Sequence, residues 1–220
     1  TKGLGAIRND GFICGIAVAT NKDTAYFPLQ HSDINLDSKK IEKIWDVLNK
    51  KIFQNEKINK VFHNAMYDVC WIRSATGLMP KGNLYDTMIA ASVIDENRKS
   101  YSLDSLSADY LNDKKYKYDL KDRALAEHGI ADPMSNMDKL PYDLVKDYAE
   151  QDVSLTLRLW KKFKEIIDKP IQVLGPEDNP VKYKTLQNIF NLETKLFPCL
   201  VDMRFKGVRV DKERSEALGD

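Results

Sequence analysis

Apolar residues along this chain fall into two kinds of run. Residues 11–19 (Gly-Phe-Ile-Cys-Gly-Ile-Ala-Val-Ala) form a short, nearly continuous apolar stretch with turn formers before it and Asn21 after it. That reads as a strand buried on both faces. Residues 24–29 read as a second strand, and Pro28, which has no N–H to donate, suits its edge or end. Ile41, Ile44, Leu48 and Ile52 recur at spacings of three and four, which predicts an amphipathic helix over 39–53. The lysines of that helix lie mostly on its opposite face, as in an ordinary solvated helix. Residues 58–63 read as a third strand.

From residue 65 the period becomes helical. A helix over 65–75 follows the third strand directly. Asp86 is a good N-cap for a helix opening at Thr87, and Ser102 for one carrying Leu103, Leu106 and Leu111. The longest helical stretch is 141–167, with Pro141 at the first helical position. Pro170, Gly175, Pro176 and Pro180 mark residues 169–182 as a linker. A new amphipathic helix then begins, with a kink expected at Pro198, and residues 205–211 look like a turn into a short strand. One helix and one strand bury no core of their own, so residues 183–220 read as the opening of a second domain. Strands first, then helices interleaved around them, predict an α/β fold: a mixed β-sheet flanked by helices.

Composition narrows the function. Hydrophobic residues are 43% and charged residues 30% of 220, a globular balance with enough chain for one sizeable core. No run of about 18 apolar residues is present, so a membrane span is not expected, and the first residues carry no apolar signal-peptide core. The net charge of +1 argues against coating nucleic acid by bulk electrostatics but leaves a local basic groove open. Cys14, Cys70 and Cys199 are scattered and odd in number, and the three histidines (His31, His63, His128) are also scattered. A zinc site or disulfide framework is therefore not expected, and a reducing compartment is.

Two places put carboxylates where packing does not ask for them. Asn64-Ala65-Met66-Tyr67-Asp68 follows the third strand, so Asn64 lies at the strand's end and Asp68 one turn into the next helix. Ligands of α/β sheets gather at such strand ends. Tyr148 and Asp152 stand four apart in the long helix, on the face that Leu144 and Leu155 turn towards the core. An inward Asp152 costs several kcal/mol unless a cation compensates it, and no Lys or Arg adjoins it on that face. Carboxylate oxygens suit Mg²⁺ or Mn²⁺, and two such ions about 4 Å apart support phosphodiester cleavage. Such a pair of ions asks for more carboxylates than Asp68 and Asp152.

With these motifs the chain resembles the 3′-5′ exonuclease domain of family A DNA polymerases, of the DnaQ-like, ribonuclease H-like superfamily. The family carries Asp-x-Glu on its first strand, Asn-x-x-x-Asp in a second motif and Tyr-x-x-x-Asp in a third. Asn64 and Asp68 match the second, Tyr148 and Asp152 the third. Leu84-Tyr85-Asp86-Thr87-Met88, Tyr101 to Leu106, Gly15 to Ala19 and Tyr26 to His31 look like further landmarks in the same order. The resemblance covers residues 1–168. It implies a DEDDy-type proofreading exonuclease with two Mg²⁺ (or Mn²⁺) ions. Asp68 and Asp152 would be metal ligands, with Asp152 on the ion that activates the attacking water. Tyr148 would hydrogen-bond that water or the scissile phosphate, and Asn64 would help hold the primer terminus or support the loop.

Thr1-Lys2-Gly3-Leu4 looks like the continuation of the first motif, whose Asp-x-Glu would stand directly before Thr1. The expectation is a fragment starting just past it, itself inactive, and with strands 11–19 and 58–63 flanking a gap. Residues 193–211 resemble the start of the polymerase module. The implied partners are a single-stranded DNA primer 3′ end and a downstream polymerase module, in the cytoplasm of a bacterial or phage-infected cell.

Several residues also carry plainer readings. Asp86 reads as a helix cap rather than a ligand, His63 as a packing or hydrogen-bonding residue. Glu150 lies about 200° around the helix from Tyr148, off the candidate face. Residues 110–123 interleave tyrosines with lysines; Tyr116 and Lys117 are candidate contacts to single-stranded DNA, and a solvated loop is the competing reading. A ribonuclease D-like RNA trimmer and a non-catalytic DNA-binding relic are the rival functions.

Overall fold

The computed structural model describes residues 5–8, 10–34, 36–113, 117–173 and 182–217, with the side chains of 117–119, 171–173, 182–184 and 217 outside the description. The first hairpin joins β1 (Gly15–Ala19) to β2 (Thr24–Pro28), antiparallel, with Gly15 opposite Pro28 and Ala19 opposite Thr24. Pro28 thus sits at a strand end, where its missing N–H costs nothing. The strand is shorter than the apolar run 11–19, and every β1 residue is half-buried rather than enclosed. Among the described residues β1 is laddered to β2 alone, so neighbours cover only part of it.

Helix α1 (Ser38–Leu48) is capped by Asp37, whose side chain accepts from the Lys40 N–H, and continues through a π-helical turn to Phe53. Then β3 (Lys60–Phe62), α2 (Ala65–Thr76) and β4 (Leu84–Asp86) form a crossover unit with β3 and β4 parallel. Buried Lys60 donates its ammonium to the carbonyls of Asn55 and Lys81, tying together the loops that enter β3 and β4. Helix α3 (Thr87–Ile94) follows β4 without a gap, capped by Asp86, and α4 (Leu103–Leu111) is capped by Ser102. Both caps match the sequence expectation. Among the described residues the strands form three two-stranded sheets, two antiparallel and one parallel, within a mixed α/β arrangement.

The segment read as a Tyr/Lys loop is in part helical: α5 spans Lys117–His128. Leu120 and Ala124, four apart, are buried against the start of the next helix, and that apolar pair outweighs the polar composition. A 3₁₀ segment (Met134–Lys139) leads to α6 (Tyr142–Asp168), with Pro141 as its N-cap rather than its first helical residue. α6 presents Val145, Leu155, Leu159, Phe163 and Ile167 as one buried stripe. It packs on β1 and β2, on β3, and on α3 and α4, so it bridges the two strand pairs. Thr24 donates its hydroxyl to Glu150, fastening the hairpin to α6.

Short strands β5 (Ile171–Val173) and β6 (Lys182–Lys184) pair at the two ends of the linker stretch; residues 174–181 lie outside the description. Helix α7 (Gln187–Lys206) runs through Pro198. It turns Phe190 into a cluster with Leu159 and Phe163, and Phe197 and Val201 into one with Val69 and Trp71. Tyr85 stacks on Trp160 at 4.5 Å, with Phe190 beside both. Burying each such aromatic contributes about 2–3 kcal/mol. Gly207 ends α7 at φ 69°, and residues 208–211 are irregular before α8 (Lys212–Ala217). The strand expected over 205–211 does not form: Val208 and Val210 are 90% and 65% exposed, with no ladder to join. Among the described residues no helix is long and apolar enough to cross a membrane, and the three cysteines are free thiols.

Candidate active site

The corner between β3 and α2 is made by Asn64, which takes the left-handed conformation (φ 65°, ψ 55°) that asparagine tolerates better than most residues. Its side chain is exposed and makes no capping bond, so the helix start is satisfied from elsewhere. Asp86, across the parallel pair, accepts from the Asn64 N–H (3.1 Å) and the Ala65 N–H (2.7 Å) while also accepting from the Met88 N–H of its own helix (2.8 Å). Thr87 adds two bonds to the same corner: its hydroxyl donates to the Phe62 carbonyl (3.1 Å) and meets His63 Nδ1 at 2.8 Å. One hydroxyl proton serves one bond, so both are satisfied when His63 carries its proton on Nδ1.

Asp68 lies in the first turn of α2, where the helix dipole favours an anion. Its carboxyl sits deep among protein atoms although the residue keeps some accessible surface. Burial, then the Asp86 carboxylate, then Asp152 push its pKa up to about 7. Burial also raises the pKa of Asp86, against the opposing pull of the Met88, Ala65 and Asn64 N–H groups. The electrostatic reach of Asp152 to Asp68 brings the second and third motifs into one neighbourhood, as α6 packing on β3 requires. Asp152 Oδ1 is closed to solvent, and Thr156, one turn on, donates its hydroxyl to the Asp152 carbonyl.

Tyr148 packs its ring on the cluster of Tyr26, Leu140 and Leu144, and its hydroxyl reaches the Met134 sulfur at 4.0 Å. The base of that cluster is a buried pair, Tyr26 Oη to His31 Nε2 at 2.6 Å; burial raises the tyrosine pKa and lowers that of the histidine. Tyr116 and the side chain of Lys117 lie outside the described residues.

Buried, mutually repelling carboxylates are suited to a hard divalent cation, which removes the repulsion. Among the described residues no three His, Cys, Asp or Glu side chains gather into a set able to hold a metal. The double hydrogen-bonding role of Asp86 and the bonds of Thr87 were not evident from the sequence. The adjacency of Asp86 and Thr87 at a strand end was the available signal, and it pointed only to a cap.

The same order of motifs and elements is found in known proteins. A family model described as 3′-5′ exonuclease, of family A DNA polymerases, matches residues 1–168. The DNA polymerase of Bacillus phage SP01 is 26% identical over 216 residues, covering 98% of this chain and 20% of the relative. DNA polymerase DpoZ of Salmonella phage PMBT28 is 28% identical over 225 residues, covering all of this chain and 32% of the relative. The chain thus spans about a fifth to a third of the length of these relatives. Among solved structures, Brucella melitensis NrnC bound to pGG superposes with a TM-score of 0.62 at 15% identity, covering 93% of this chain and 81% of that one. NrnC with bound Mg²⁺ superposes at 0.60. Those two likenesses speak for a DnaQ-like fold. Together with a family match that takes in both carboxylate motifs, they make the chain a member of the 3′-5′ exonuclease domain family of family A DNA polymerases.

Proposed function

We propose that this domain removes nucleotides from the 3′ end of a DNA strand, as the proofreading activity of a family A DNA polymerase. The observation that carries the reading is the buried Asp68 carboxyl, raised in pKa by burial, Asp86 and Asp152 together, at the strand end where the second and third motifs meet. That the sequence relatives are named DNA polymerase supports DNA rather than RNA as the substrate of this domain. Residues 169–182 then act as a linker, and 183–220 as the start of a polymerase module in a longer chain working in the cytoplasm of a bacterial or phage-infected cell.

Two Mg²⁺ or Mn²⁺ ions, when bound, supply the positive charge that stabilises the oxygens of the in-line displacement. Asp68 and Asp152 would supply part of the carboxylate set that holds them. The Tyr148 hydroxyl donates to the attacking water or the scissile phosphate, four residues from Asp152 on one helical face. Asn64 at the exposed corner supports the terminal nucleotide. Tyr116 and Lys117 are proposed contacts to the single strand, a tyrosine for base stacking and a lysine for phosphate.

Asp152→Ala in the full-length protein tests this. Digestion of a 5′-labelled single strand should fall by about 100- to 1,000-fold, while extension of a primed template stays near its original rate. Digestion that survives the substitution refutes the role of Asp152. Digestion of RNA 3′ ends in preference to DNA would hand the domain to the ribonuclease D-like reading.

A further inference from the structure

The end of β4 does more than cap a helix. Asp86 is 6% exposed and Thr87 fully buried, and both side chains reach across the parallel strand pair. Their hydrogen bonds to four consecutive residues, Phe62, His63, Asn64 and Ala65, span the whole turn from β3 into α2. That turn holds Asn64 in a left-handed conformation, which asparagine adopts less readily than glycine and which its neighbours' hydrogen bonds support. Asp68 stands one helical turn beyond.

We propose that Asp86 and Thr87 form a clamp that positions Asp68 for the divalent cation. Asp86 is then a positioning residue and not itself a metal ligand. Both of its oxygens are engaged by backbone N–H groups, Oδ1 by Asn64 and Met88, Oδ2 by Ala65. With the first helical N–H of α2 held at 2.7 Å, the start of the helix that carries Asp68 is fixed against β4. Groups that orient metal ligands in this way typically govern about 10- to 100-fold of metal affinity. The inference rests on the exonuclease reading above.

Asp86→Asn separates the clamp from the cap. Asparagine is as good an N-cap as aspartate, so the bond to the Met88 N–H is kept. Its amide nitrogen replaces Oδ2 and faces the Ala65 N–H, donor against donor, so the α2 corner is released. Thr87→Val removes the two hydroxyl bonds at equal shape and leaves every charge in place. Each variant of the full-length protein is measured by Mn²⁺ binding in electron paramagnetic resonance, by kcat and KM on a DNA oligonucleotide against metal concentration, and by Tm.

The clamp predicts Mn²⁺ binding weaker by about 10-fold or more in Asp86→Asn and by about 3- to 10-fold in Thr87→Val. It also predicts KM for DNA within about threefold of the parent and kcat recovering at high metal concentration. Metal titrations that overlay the parent's in both variants overturn the proposal. So does weakening confined to Asp86→Asn, which would assign the effect to lost charge, and so does loss of folding in both, which would make the pair a stabilising element only. Asp68→Ala is run alongside: digestion that persists there refutes the exonuclease reading itself, whereas digestion lost there with unchanged metal binding in the clamp variants refutes the clamp alone.

Discussion

Replacing Asp68 by asparagine should stabilise the metal-free protein at neutral pH while abolishing its digestion of DNA. Burial, with the charges of Asp86 and Asp152 behind it, lifts the Asp68 pKa from 3.8 to about 7. The folded state therefore holds the proton over a window in which the unfolded chain has lost it. Stability falls as pH rises from about 4 to about 7 and is level above that, because the unfolded state binds fewer protons throughout the window. A rise of about three pK units corresponds to about 4 kcal/mol. Asparagine keeps the shape and has no proton to lose, so its stability lacks this decline. The assay is denaturation in EDTA at pH steps from 4 to 8, with hydrogen exchange of the α2 amides to localise the change. The parent should lose up to about 4 kcal/mol relative to Asp68→Asn across the window, and Mg²⁺ at pH 8 should restore part of the parent's loss only. A difference between the two proteins that stays flat with pH, or that grows in the parent's favour, refutes the account of Asp68 as a carboxyl held against its charge.

Two further outcomes follow from packing. A Cβ at Gly15 would stand 2.0 Å from the Tyr26 hydroxyl oxygen, so Gly15→Ala must push apart the hairpin or break the Tyr26–His31 bond. It should cost about 1–3 kcal/mol, and an unmoved denaturation midpoint would show that the hairpin yields freely. Phe197 on α7 is buried against Val69 and Trp71 of α2. Phe197→Ala should cost about 3–5 kcal/mol and speed hydrogen exchange in α2; unchanged exchange there would refute the docking of α7 on this core.

Local sequence determined what depends on neighbours in the chain. The apolar period placed α1, α2 and α6, and Asp86 and Ser102 marked the starts of α3 and α4, because a cap needs only the N–H groups two or three residues ahead. The spacing of the two carboxylate motifs is local in the same way: the members of each pair lie four residues apart. Strand limits and strand existence were less legible. Residues 11–19 shorten to Gly15–Ala19, and 205–211 form no strand, because a strand lasts only as far as its partner does. α5 was hidden by lysines and tyrosines until Leu120 and Ala124 found their place against α6.

Tertiary structure alone decided the electrostatics of the site. Nothing in the order of residues says that Asp86, 18 positions on from Asp68, shares its surroundings, or how strongly Asp152 bears on Asp68. That follows from β3 and β4 lying in parallel and α6 crossing β3. A carboxyl's pKa is set by how much water it has lost and which charges stand beside it. A linear sequence carries the groups, and only the packed chain carries their distances.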